Sequence, residues 1–223
     1  MSTAVVTTCW GAYGRYLTDW AESIAGQTQR PTQAVIADLG VDDPDTVAHA
    51  TEILRATDVP CDVVTGEYAG MGAARNTAVA ATRTEWVMHL DADDTLLPHA
   101  LADVAELTGQ ADVVSLGAIR DGRPVCFPDV SRERILARGH GAFSCSPFRR
   151  SLWERRPFHT ANDWVDSVLW VGFAHLGARF AGTTRPGFVY RQHDDSFSHQ
   201  LTAEDRRQAV RQWKHACRSW ELA

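Results

Sequence analysis

The chain of 223 residues is poor in cysteine, in long apolar runs and in positive charge. Its five cysteines, Cys9, Cys61, Cys126, Cys145 and Cys217, are odd in number and form no CxxC pair. That argues against a disulfide framework and against a zinc knuckle. No stretch reaches the roughly 18 consecutive apolar residues that a membrane-spanning helix requires. Residues 1–8 have neither the basic start nor the apolar length of a secretory signal, so a cytoplasmic location is expected. Lys and Arg total 22 against 28 Asp and Glu, a net charge of −6. A general nucleic-acid partner needs a basic surface and is excluded. No GxxxxGK[ST] occurs, so there is no P-loop. Nor is there an internal repeat, a low-complexity tract or a Ser/Gly linker, and one domain over residues 1–223 is expected.

What is present is an alternation of short apolar runs with amphipathic stretches. Residues 4–8, 33–37, 61–65 and 85–90 read as strands, β-branched and bounded by Gly or Asp. Between them lie helical patterns, the first with Tyr13, Leu17, Trp20, Ala21 and Ile24 at spacings of three and four. This rhythm predicts an α/β fold with a Rossmann-like, mostly parallel sheet flanked by helices. Past about residue 95 the texture is less regular. Helices are expected over 98–107, 150–156 and 162–175, and strands over 113–119, 124–127 and 187–190. Asp121-Gly122 marks a hairpin turn between the first two of these strands. Residues 202–220 close the chain as a long helix. Eight tryptophans suggest a cleft or cover built from flat, amphipathic rings.

Two segments carry chemistry. The first is His89-Leu90-Asp91-Ala92-Asp93-Asp94, where the fourth strand ends. Ligands of open α/β sheets bind outside the carboxyl ends of strands. Three carboxylates within four residues repel one another, and Mg²⁺ or Mn²⁺ bridging to substrate phosphates suits an all-oxygen site. A polar turn capping the next helix is the plainer alternative. His89, Asp91 and Asp93 also alternate, so a continued strand would align them as a metallohydrolase-like His/Asp site; a core histidine is the competing reading. The second segment is Gly70-Met71-Gly72-Ala73-Ala74-Arg75-Asn76. It follows the third strand and has Arg75 where a dinucleotide fingerprint needs a small residue. Arg75 beside flexible glycines can approach a phosphate or base, or be an ordinary surface arginine.

These segments, with Thr7-Thr8, Ser23-Ile24-x-x-Gln27-Thr28, the strand ending in Asp38, Phe148-Arg149-Arg150-Ser151-Leu152, Asn162-Asp163-Trp164 and Tyr190-Arg191-x-His193-x-x-Ser196, resemble family 2 glycosyltransferases of the GT-A fold. The resemblance runs over about residues 4–200. It implies a nucleotide-sugar-binding half over about residues 1–95, an acceptor-binding half over 96–200 and an amphipathic C-terminal helix over 201–223. It also implies an inverting, metal-dependent transfer from a nucleotide-diphosphate sugar to an acceptor hydroxyl. By position, Thr7, Thr8, Trp10, Asp38, Arg75, Asp91 and Ala92 would hold the donor. Asp93, Asp91 and His193 would hold Mn²⁺ or Mg²⁺. Asp163 would be the general base, with Asp166 a turn later as its competitor, and Trp164 and Trp153 would lie on the acceptor side. A UDP-sugar is favoured over GDP- or TDP-sugars.

Departures from the family pattern are Cys9-Trp10 after the first strand, Leu39-Gly40 after Asp38, and Asn162 before Asp163. They keep a catalytically degenerate sugar-nucleotide-binding protein in play, beside a metal-dependent nucleotidyltransferase or phosphohydrolase. The closing helix groups Val210, Trp213, Cys217 and Trp220 on one face, with Arg206, Arg207, Arg211, Lys214 and Arg218 around the other. It either packs on the body, or serves peripheral membrane binding or self-association.

Overall fold

Val5 faces one core cluster while Ala4 and Val6 face another, so the first strand is buried on both sides. That is why it reads as an unbroken apolar run. The computed structural model describes residues 2–160, 164–194, 196 and 202–221. β1 (Thr3–Gly11), β2 (Gln33–Val41), β3 (Cys61–Thr65) and β4 (Trp86–His89) pair in parallel in the order β3-β2-β1-β4. The crossovers are α1 (Leu17–Ala25), entered through a 3-10 turn over Ala12–Tyr16, then α2 (Asp45–Ala56) and α3 (Met71–Ala80). The expected face of α1 is the buried one, with Leu17, Trp20, Ala21 and Ile24 inside. Trp20 also donates its indole N–H to the Leu90 carbonyl at 3.3 Å, tying α1 to the end of β4.

β1 and β2 run further than the residue pattern predicts. Their pairing shifts register between Cys9 and Gly11, an irregularity that re-aims the side chains beyond it. Trp10 sits at this point.

Beyond β4 the sheet becomes mixed. The second half contains β5 (Thr95–Leu96), α4 (Ala100–Leu107), β6 (Val113–Arg120), β7 (Arg123–Val125) and α5 (Arg132–Arg138). It continues with β8 (Phe148–Arg149), α6 (Arg150–Arg155), α7 (Val165–His175), β9 (Phe180–Tyr190) and α8 (Ala203–Glu221). The strand order extends as β4-β8-β6-β9-β5, with β7 on β6. Asp121 and Gly122 both take positive φ, 50° and 70°, the two-residue turn that a tight hairpin needs. β5, α5 and β8 leave no mark in the residue pattern; the two strands are too short to show a period. β9 begins at Phe180 rather than 187, because Gly182, Pro186 and Gly187 interrupt its pattern while register shifts against β6 absorb them.

α1, α2 and α4 cover one face of the sheet, and α3, α5 and α7 the other. Trp213 of α8 joins the second core, and Arg207 and Arg211 pair with Glu204. The Arg206, Cys217 and Trp220 side chains lie outside the described ones. Among the described residues, no helix is long and apolar enough to cross a membrane.

Candidate active site

The acidic turn begins where β4 stops. After His89 the backbone folds back, and the Asp94 N–H donates to the Asp91 carbonyl at 3.0 Å. His89, Asp91 and Asp93 therefore do not share a strand face. His89 is wholly buried, with Nε2 3.4 Å from Thr8 Oγ1 and Nδ1 3.5 Å from Asp91 Oδ1. Burial, then the nearby Arg75, lowers its pKa to about 3, which leaves a neutral core imidazole. The metallohydrolase alignment fails because the turn takes Asp93 off the strand face while His89 faces Thr8 inside the core.

The three acids resolve their repulsion by taking different partners. Asp91 accepts from Arg75 Nη2 at 3.0 Å through Oδ1 and from Ser144 Oγ at 3.1 Å through Oδ2. Burial opposes its ionisation, but Arg75 and the hydrogen bonds hold its pKa below the ordinary carboxylate value. Asp93 Oδ2 lies 3.0 Å from His193 Nε2. Asp94 is buried and accepts the Arg191 backbone N–H at 2.9 Å; burial beside Asp91 and Asp93 pushes its carboxyl well up. Arg191 also binds Asp19 at 2.6 Å and lies over the Tyr16 ring. The segment after β9 is thereby fastened over the acidic turn, which is how His193 reaches Asp93.

The glycine-rich segment sets the opposite side. A Cβ on Gly72 would stand 2.1 Å from the His159 carbonyl oxygen, so only glycine permits this approach of α3 to residues 158–160. Asn76 clamps the same segment, donating to the Phe158 carbonyl and accepting from the Phe158 N–H, both at 2.9 Å. Between them Arg75, only 3% exposed, reaches both Asp91 and Asp166. Burial disfavours its charge, yet Asp166 and Asp91 together raise its pKa above the ordinary value. Asp166, in the first turn of α7, keeps a raised carboxyl pKa because burial, with a contribution from Asp91, outweighs the Arg75 contact.

These groups border one cavity of about 510 Å³. Of the residues anticipated from sequence, Thr8, Trp10, Arg75, Asp91, Ala92, Asp93, Trp164 and Asp166 line it. Thr7, Asp38, Trp153 and His193 are not among its lining residues, His193 reaching it only through its contact with Asp93. Thr7 is buried within β1, and Asp38 Oδ1 instead accepts the Gly40 and Val41 N–H groups, each at 3.1 Å. Trp153 donates its indole N–H to Asn76 at 2.8 Å, a supporting role behind Arg75. Asn162 and Asp163 lie outside the described residues. Arg120, Ser144 and Ser167 line the cavity too and stand in no sequence motif, whereas Tyr13, Met71, Tyr190 and Ser196, which also line it, lie in segments read from the sequence. Ser144 has no sequence signal. Arg120 had one, as the last residue of a strand facing a ligand end.

Trp10 stacks on Tyr68 with ring centroids 4.3 Å apart and lies 5.3 Å from Tyr13, forming an aromatic platform at the β1 side. As for a cation, the Asp93 oxygen suits Mn²⁺ or Mg²⁺, while the His193 nitrogen is a ligand that Mg²⁺ takes less readily than a transition metal such as Mn²⁺. Asp93 is raised by burial and by Asp91, the condition of an acid lacking a full counter-charge. Asp91 already has both oxygens engaged. Among the described residues no group of three metal-ligating side chains exists, so the fit requires further oxygens from a ligand or water.

A curled sheet, parallel on one side and mixed on the other, with an acidic turn at the end of its central strand, defines a glycosyltransferase fold of the GT-A type. The chain belongs to glycosyl transferase family 2, whose family model matches residues 4–179. It is similar to the succinoglycan biosynthesis protein ExoO of Rhizobium meliloti (strain 1021), 26% identical over 59% of this chain and 45% of that protein. An uncharacterized glycosyltransferase of Nostoc sp., alr2836, is 34% identical over 47% of this chain and 32% of its own. The chain thus spans less than half the length of these curated relatives. In three dimensions it resembles S. aureus TarS 1-349 in complex with UDP-GlcNAc, with TM-score 0.75, 19% identity, and coverage of 97% and 66% of the two chains. The mannosyltransferase PcManGT of Pyrobaculum calidifontis, in complex with GDP-Man and Mn²⁺, gives 0.68 at 21% identity, covering 87% and 58%.

Proposed function

We propose that this chain carries the catalytic site of an inverting glycosyltransferase that moves a sugar from a nucleotide-diphosphate donor to an acceptor hydroxyl. The observation that carries the reading is the Arg75 bridge. One buried guanidinium holds Asp91, on the acidic turn, and Asp166, on α7, at the wall of the same cavity. Trp10, with Tyr68 beside it, offers a stacking face for the nucleobase, and Thr8 and Asp91 lie between that face and the reacting centre. A UDP-sugar is the first donor to test.

Asp166 takes the role of general base in this reading. It lines the cavity, and its raised affinity for a proton suits it to accept one. The acceptor oxygen would attack the anomeric carbon as its proton passes to an Asp166 oxygen, while the bond from that carbon to the diphosphate breaks. A Mn²⁺ or Mg²⁺ ion held by Asp93 and His193 would offset the charge gathering on the leaving diphosphate. Arg75 orients Asp166 and keeps it from swinging away, at the expense of some of its basicity.

Titration calorimetry of UDP with Mn²⁺, paired with a transfer assay, tests the reading. UDP is expected to bind the wild type only with Mn²⁺ and to lose most affinity in Asp93→Ala. Asp166→Asn should keep UDP binding and lose roughly 10²–10⁴-fold in kcat. Equal affinity in Asp93→Ala would sink the metal assignment. An active Asp166→Asn beside an inactive Asp163→Asn would move the base to Asp163.

A further inference from the structure

Arg75 and Arg120 are the two cations that line the cavity, and their situations are opposite. Arg75 is neutralised by two carboxylates. Arg120 is exposed and, among the described residues, makes no ion pair. Its guanidinium lies over the Tyr190 ring, 5.4 Å from the centroid, a contact that holds the plane while leaving its edge N–H groups available for an oxyanion. Across the β6–β7 hairpin its register partner is Arg123, also exposed and also without an ion pair among the described residues. Like charges directly opposite one another on antiparallel strands are destabilising. The one carboxylate of the turn, Asp121, faces the side-chain amide of Gln192 instead. Among the described residues the hairpin therefore presents two cations without an ion pair, one of them on the cavity wall.

The sheet order says which end of the cavity this is. Trp10 stands on β1 and Arg120 on β6, and the order β1-β4-β8-β6 places them on opposite flanks of the strand that leads into the acidic turn. If the base lies at Trp10 and the diphosphate at the acidic turn, Arg120 lies past the diphosphate, where the acceptor enters. We infer that Arg120, supported by Tyr190 and flanked by Arg123, recognises an anionic group on the acceptor, a carboxylate or a phosphate near the hydroxyl that is glycosylated. This rests on the donor placement given above and adds the chemical class of the acceptor to it.

Calorimetric titration with methyl β-D-glucuronide against methyl β-D-glucoside, and with glycerol 3-phosphate against glycerol, reads the preference. Each pair is run with and without UDP and Mn²⁺. The wild type is expected to bind at least one anionic probe roughly tenfold or more tightly than its neutral counterpart. Arg120→Ala should lose that preference and Arg120→Lys keep part of it. The glucuronide arm identifies a carboxylate acceptor and the glycerol phosphate arm a phosphate. Equal or absent binding of charged and neutral probes by the wild type overturns the inference. A preference that survives in Arg120→Ala overturns it too. A tenfold loss of UDP affinity in Arg120→Ala would assign the arginine to the donor diphosphate and likewise overturn it. If UDP does not bind the wild type at all, the donor reading fails, and the titrations without nucleotide still decide the role of Arg120.

Discussion

Two clusters of charge in this molecule are inverses of one another. Around Arg75 one cation lies between two acids, Asp91 and Asp166. Around Asp112 one acid lies between two cations, Arg149 and Arg179, each at 3.0 Å, with Glu85 on the far side of Arg149. Drawn as contacts they are alike, but their surroundings differ. The Arg75 side chain is 4% exposed, while Arg149 and Arg179 are 27% and 55% exposed. Water screens the second cluster and leaves it a modest clamp on the starts of β6 and β9 and the end of β8. The first is shielded, so its unequal count of two acids to one cation persists as a local excess of negative charge. Asp91 stays ionised by its contact with Arg75, and Asp166 is left holding its proton more tightly than usual. An unequal trio at a cavity wall leaves Asp166 with a raised affinity for a proton, which is the property the proposed general base needs.

The comparison is broken most directly by removing the central charge. Arg75→Met leaves Asp91 and Asp166, whose side chains are 30% and 26% exposed, facing one another without the buried cation between them. The expected loss is about 3–5 kcal/mol, a fall in Tm of roughly 10 °C for a chain of this size. Urea or thermal denaturation measures it. A loss below about 1 kcal/mol would mean that shielding does not separate the two clusters. Adding Asp166→Asn to Arg75→Met should recover part of the stability, because one buried charge is then removed along with its partner. A smaller effect is expected one helical turn earlier. Gly72→Ala sets a methyl group against the His159 carbonyl oxygen and should cost about 1–3 kcal/mol, as overpacking does. Unchanged stability would show that residues 158–160 can retreat and that the glycine is not what seats Arg75.

The halves of the molecule also differ in how far they can be read from sequence. The β1–β4 region follows from apolar runs and helical spacing, since strands buried on both faces and amphipathic crossovers leave strong periodic traces. β5 and β8, two residues each, leave none. β9 was legible only at its last residues because glycines and a proline disrupt its pattern, and only its pairing with β6 makes it a strand. The site divides in the same way. Asp91, Asp93 and Arg75 stand in short motifs, and the fold brings all three to the wall of one cavity. The bond from Ser144 to Asp91 joins residues 53 positions apart, in a segment with no pattern. Asp166 was visible only as a second choice, because an acid in the first turn of a helix is ordinary capping chemistry. What raises it above that is its contact with Arg75, 91 positions away, which no local pattern announces.

The exposed cluster supplies the smallest effect and the control for the rest. Hydrogen bonds from Arg179 first of all, with Arg149 contributing, pull the Asp112 pKa from its ordinary 3.8 to about 2. Because the folded value lies below the unfolded one, the clamp stabilises fully above about pH 4. It fades as pH falls from there through 2, where the protonated acid no longer distinguishes folded from unfolded chain. Asp112→Asn should therefore lower stability at pH 7 by about 1 kcal/mol, after allowing for the exposure of its partners. The wild type and this variant should converge in thermal denaturation as the pH is brought down from 4 toward 2. A gap that stays constant over that range would mean that Asp112 holds the three strands through its shape and backbone bonds alone. A loss as large as that of Arg75→Met would remove the difference between the clusters, since an acid with solvent-screened partners would then matter as much as a shielded cation.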